Sequence, residues 1–148
     1  MFKTVVWATD GSDGANRALP YAKELVRREG GRLVAVHGNE MLGGRAGGYP
    51  AIANEDDVET TIRQQVADLQ KDGVDAGFTL VSGAQSHAAQ MIADAATDAN
   101  ADVIVVGTRG RGAVAGLVLG SVTQRLLHVA SCPVLAVPPS TDGRPTES

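Results

Sequence analysis

Two short stretches of this chain carry residue types suited to holding an anion. The first is Thr9-Asp10-Gly11-Ser12-Asp13-Gly14, two carboxylates and two hydroxyls set in a glycine turn. The second runs from Gly107 to Thr123, with Gly107, Gly110, Gly112, Gly116 and Gly120, the cations Arg109 and Arg111, and the hydroxyls Ser121 and Thr123. Glycines let the backbone turn and approach a bound group closely. Amides at a loop-to-helix junction, here those of Gly120, Ser121 and Val122, offer a phosphate several donors and a favourable helix dipole. Arg109 or Arg111 would screen phosphate charge. Asp10 would accept from a ribose hydroxyl or help to hold a divalent metal beside phosphates. The pattern predicts a bound nucleotide. Each feature also has a purely local role. Ser121 and Ser12 suit N-caps, Asp13 a helix first turn, and Asp10 an Asx-turn accepting from the Ser12 or Asp13 amide.

Other chemistries fit poorly. A Walker A loop needs a lysine before its serine, and Gly120 stands there, so fast P-loop NTPase chemistry is not supported. Gly110 to Gly116 resembles a dinucleotide fingerprint but follows the wrong strand, with no acidic residue ending the next one. There is no G-x-S-x-G elbow. Cys132, beside Pro133, reads as a small apolar residue. His37, His87 and His128 are far apart and lack ligand spacing, so each reads as structural and no metal ligands are assigned.

Strands and helices must position these residues. Thr4 to Thr9, Leu33 to His37, Phe78 to Val81, Asp102 to Val106 and Val134 to Val137 are apolar runs of strand length, several rich in β-branched residues. Between them, Ala15 to Arg28 puts Ala18, Ala22, Leu25 and Val26 on one helical face, with Pro20 expected in the first turns or at a kink. Glu55 to Lys71 carries the stripe Val58, Ile62, Val66 and Leu69. Ser86 to Asn100 puts Ala88, Ile92, Ala95, Ala96 and Ala99 on a face that would pack closely on something flat, and Ser121 to Ala130 is the last helix. Gly38 to Asn54 reads as a long loop, either functional or disordered.

Alternating strands and helices predict one α/β domain over residues 1–138, a five-stranded parallel sheet with helices on both faces. The polar, Pro-rich 139–148 segment reads as a disordered tail. Right-handed crossovers favour the order 3-2-1-4-5. That order reverses between the first and fourth strands, and ligands sit beyond the carboxyl ends at such a reversal. Asp10 and Gly107 end those strands. Gly38, ending the neighbouring strand, would touch the base through its backbone. Pro133 suits an edge strand, yet Val134 to Val137 is apolar on both sides, which predicts a homodimer through that edge.

The 148 residues carry a net charge of −4 and no Lys/Arg-rich block, which argues against binding nucleic acid or a membrane surface. The single cysteine cannot form an internal disulfide. With no signal-like segment and no run long enough to span a bilayer, a soluble, cytoplasmic protein is expected.

From Val5 to Val137 the chain is similar to the universal stress protein family. The resemblance rests on Val5-Val6-Trp7-Ala8-Thr9-Asp10-Gly11-Ser12 with Ala18-Leu19, Leu33 to His37, and Ala101-Asp102 leading into Val103 to Gly107. It continues through Gly107-x-x-Gly110-x9-Gly120-Ser121 and Cys132 to Val137. That glycine pattern resembles the ATP-binding branch. The resemblance implies a Rossmann-like domain, a dimer through the last strand, and ATP bound with Mg²⁺ or Mn²⁺. It implies a stress-response regulatory role with at most slow hydrolysis. By position, Ala8, Thr9 and Asp10 would line the adenosine side, and Val106, Gly107, Arg109, Gly110, Gly120, Ser121, Val122 and Thr123 the ribose and phosphates. The family commonly has an apolar residue where Gly38 stands, so a side-chain wall to the base is lost. The alternatives are a cyclic AMP (or AMP) sensor or sink, an enzyme of the ATP pyrophosphatase type, whose S-G-G-x-D-S loop Thr9 to Gly14 does not match, and an interaction module with an empty crevice, which the glycine pattern argues against.

Overall fold

A computed structural model of the chain describes residues 1–42, 49–50, 55–84, 87–108 and 120–139. Its strands are β1 (Thr4–Ala8), β2 (Arg32–Leu42), β3 (Tyr49–Pro50), β4 (Asp75–Ala84), β5 (Val103–Gly107) and β6 (Val134–Val137). Its helices are α1 (Asp13–Glu29), α2 (Glu55–Lys71), α3 (Ala88–Asp98) and α4 (Ser121–Val129). The parallel strands lie in the order β4-β2-β1-β5-β6, the expected 3-2-1-4-5 once the short β3 is set aside.

Strand alternation divides the core into two layers. Val5, Trp7, Leu33, Ala35, Val103 and Val105 face α1 and α2. Val6, Val34, Val36, Ile104 and Val106 face α3 and α4. β1 and β5 are buried along almost their whole length, as central strands covered on both faces must be. The stripe Val58, Ile62, Val66 and Leu69 of α2 is buried throughout. In α3 the buried face is Ala88, Ala89, Ile92, Ala93 and Ala96, rotated from the expected one, with Ala95 and Ala99 only half-buried. Small side chains there let the helix lie close to the sheet.

Pro20 lies well inside α1 rather than in its first turns. Pro20 and Asn16 are both on the exposed side, where water can serve the carbonyl that loses its helical donor.

Gly38 to Asn54 is not wholly a loop. β2 runs on to Leu42 because β4 accompanies it, pairing Gly38 with Val81 and Met41 with Ala84. β3 then pairs antiparallel with Met41 and Leu42. With β4 on one side of Met41, β3 must lie on the other, the side occupied lower down by β1. Residues 43–48, 51–54 and 140–148 lie outside the described residues, and with them most of the expected loop and tail. Among the described residues no helix is long and apolar enough to cross a membrane.

Candidate functional site

The Asp10 turn is fixed by the strands beneath it. Thr9 N–H donates to the Val36 carbonyl at 3.0 Å, carrying the β1–β2 pairing one residue past β1. The chain then turns at Gly11, whose φ of +78° a side chain would resist. Thr9 Oγ1 accepts from Gly11 N–H at 3.1 Å, and Asp10 Oδ1 accepts from Ser12 N–H at 2.9 Å. Ser12 Oγ caps α1 by accepting from Ala15 N–H at 3.2 Å. Asp10 thus has the local role expected of it.

Two buried side chains hold this turn from below. His37 is fully buried, and its Nδ1 lies 2.9 Å from the Thr9 carbonyl oxygen. A carbonyl only accepts, so Nδ1 carries the proton and donates. Trp7, also fully buried, donates from Nε1 to the Ala15 carbonyl at 2.9 Å. The sequence marked His37 as structural without showing what it holds. Only its position at a strand end, among apolar neighbours, hinted at the partner.

The second half of the site starts at Gly107. A Cβ there would stand 2.6 Å from the Gly14 carbonyl oxygen and 3.2 Å from Ala15 N. Glycine is required because the first turn of α1 passes directly over β5. This close approach serves packing within the chain, where the sequence pattern pointed to a ligand. It also brings the Asp10–Gly14 turn onto the end of β5, so the two halves do converge.

Beyond Gly107, Thr108 N–H donates to the Val137 carbonyl at 3.0 Å, and its own carbonyl accepts from Gly120 N–H at 2.6 Å. Thr123 Oγ1 is buried and donates to the Gly107 carbonyl at 2.8 Å. Thr123 was expected to give a phosphate a donor. Its proton is instead committed to locking α4 against β5. The purely local alternative for Ser121, an N-cap of α4, does not hold: the cap is Gly120, at φ −71° and ψ 160°, and Ser121 is the first helical residue, exposed. With glycine at the cap, no side chain of the cap residue bonds to the first-turn amides. Thr108 adds an observation that the sequence did not signal. It is buried, and its hydroxyl oxygen has no hydrogen-bond partner among the described residues.

Ala8 and Val106 are buried side by side on the α3–α4 face and form the floor. Val122 is half-buried against the same layer. Gly38 lies two strands from Gly107, where a Cβ would make ordinary contacts of 3.9 Å with Ala88, Met91 and Val81. Arg109 and Gly110, with Arg111, Gly112 and Gly116, lie outside the described residues.

Among the described residues no group of three or more His, Cys, Asp or Glu is placed to hold a metal ion. Burial, with the charge of Asp102, pushes the half-buried Cys132 thiol above its ordinary value, so it stays protonated at neutral pH. A groove of about 550 Å³ between β4 and α3, lined by Arg32, Thr79, Met91, Asp94 and Asp98 among others, shares no residue with this site.

Known proteins place these features in a family. The universal stress protein family model matches residues 1–138. A universal stress protein of Thermus aquaticus, encoded in the QAH/OAS sulfhydrylase 3′ region, is 37% identical over 145 residues, covering 93% of this chain and 99% of that protein. A universal stress protein solved in complex with cAMP is 26% identical, with a TM-score of 0.67, covering 92% of this chain and 97% of that one. One from Archaeoglobus fulgidus, solved in complex with dAMP, is 28% identical, with a TM-score of 0.66, covering 93% and 98%. With the family model spanning every described strand and helix, the chain belongs to the universal stress protein family.

Proposed function

We propose that this protein binds an adenine nucleotide, ATP, between the Asp10 turn and the start of α4, and acts as a nucleotide-responsive regulatory protein in the stress response. One observation carries the reading. α4 opens at a glycine cap and is locked to β5 by Thr108 and Thr123, which leaves its first-turn amides without a capping side chain where the strand order reverses. Such amides suit an anion, and Asp10 across the reversal suits a ribose hydroxyl or a phosphate-bound Mg²⁺. The loop contains no lysine to act on the outer phosphates, which favours holding the nucleotide over consuming it. Relatives described with cAMP and dAMP support an adenine base and fit a narrower ligand as well.

The second reading, a cyclic AMP sensor, is separated from the first by charge and metal. ATP carries more charge and brings a divalent ion, whereas a cyclic phosphate needs none. Competition between ATP and cyclic AMP, with Mg²⁺ and then with EDTA, distinguishes them. ATP binding that weakens in EDTA supports the main reading. Cyclic AMP binding that exceeds ATP and ignores EDTA supports the second. Mass spectrometry of the small molecule that co-purifies gives an independent answer.

A further inference from the structure

We propose that Thr108 is a ligand-binding residue whose side-chain hydroxyl donates to a phosphate oxygen held at the first turn of α4. The inference rests on the nucleotide reading above and gives a role to a side chain at a position that the glycine pattern leaves unspecified. Thr108 is 7% exposed, and its Oγ1 has no hydrogen-bond partner among the described residues. A buried hydroxyl left unpaired is unfavourable, and such groups in folded proteins usually mark a water, an ion or a ligand.

Its direction follows from the backbone. Gly107 presents its Cα face to Gly14 and Ala15, on the α1 side of the sheet. Thr108 N–H continues the β5–β6 pairing, so the alternation carries one residue further and sends its side chain to the α4 side. There the Thr108 carbonyl holds the N–H of Gly120, the residue that caps α4 without a side chain. The unpaired hydroxyl and the uncapped amides thus belong to one junction. The hydroxyl has no partner among the described residues and the cap residue brings no side chain to the α4 amides, so a phosphate oxygen at this junction can accept from both. Neighbouring Thr123 shows the contrast. Its hydroxyl is equally buried but already spends its proton on the Gly107 carbonyl.

Thr108→Val removes the hydroxyl at nearly constant shape, and Thr108→Ser retains it. Thermal unfolding without ligand, and titrations with ATP and with inorganic tripolyphosphate, are measured for wild type and both variants. Without ligand, Thr108→Val should melt at or above the wild-type temperature, because it deletes an unsatisfied polar group. Its affinity for both ligands should fall about tenfold or more, the worth of a hydrogen bond to a charged group, while Thr108→Ser binds within a few-fold of wild type. Unchanged binding by Thr108→Val overturns the proposal, whatever its stability. So does a loss of binding that comes with a lower melting temperature, since the hydroxyl would then serve the fold. If wild type binds tripolyphosphate through Thr108 but not ATP, the nucleotide reading fails and this inference stands. If ATP binds equally to all three proteins, the reverse holds.

Discussion

A Cβ on Gly107 would collide with the backbone of Gly14 and Ala15, and backbone cannot swing aside as a long side chain can. Gly107→Ala should therefore cost about 1–3 kcal/mol, the usual penalty of overpacking, read as a lower midpoint in denaturant unfolding followed by the fluorescence of Trp7, the only tryptophan. Gly120 answers to different physics. Its φ of −71° suits any residue, and its lack of a side chain is what leaves the α4 amides uncapped. Gly120→Asp places a carboxylate on those amides. The fold should hold or gain a few tenths of a kcal/mol, since Asp caps slightly better than Gly, while a bound phosphate meets both a filled site and a like charge. Two glycines of one pattern thus answer to packing at Gly107 and, under the proposed function, to phosphate access at Gly120. At Cys132 the raised thiol predicts slow alkylation at pH 7.5 that quickens only above the ordinary thiol range. Fast labelling at neutral pH would contradict it.

Between elements, α1 is tied to the end of α2 by Lys23 Nζ and Asp72 Oδ2 at 2.8 Å. The hydrogen bond and charge of Lys23 hold the Asp72 carboxyl below its ordinary value. A depressed carboxylate stabilises the fold above its unfolded pKa of about 3.9 and loses that contribution as pH falls through the folded value. Asp72→Asn should thus be slightly less stable than wild type at pH 7, and the gap should close below about pH 4. The effect will be small because the pair is exposed. β6 sets a larger question. It ends the sheet, and Leu135 on it and Leu127 on α4 are exposed, at 38% and 53%. An apolar edge of this kind invites a second copy. Sedimentation should find a homodimer, and Leu135→Asp should make it a monomer that still folds. A wild-type monomer at high concentration would refute the pairing.

Across the whole molecule, the sheet order was legible because each apolar run was bounded by turns and each helix carried a regular stripe, as in Val58, Ile62, Val66 and Leu69. The extension of β2 through Leu42 was not, because it depends on β4 running beside it, and a pairing partner leaves no mark on the strand's own residues. In the site, the convergence of Asp10 and Gly107 could be read from topology alone. The duties of single groups could not. Thr123 and Ser121 both looked like phosphate donors, but only tertiary contacts reveal that one bonds to Gly107 and that the cap lies one residue earlier, at Gly120. Thr108 carried no signal, since its meaning lies in a missing partner.

The central claim is that the uncapped start of α4, facing Asp10 across the strand reversal, holds a nucleotide by its phosphates. Calorimetric titration of ATP with Mg²⁺ into wild type and Gly120→Asp tests it most directly. Wild type should show one saturable site per chain, and an equally well-folded Gly120→Asp none. No heat from wild type at millimolar ATP, or the same affinity in both proteins, would contradict it.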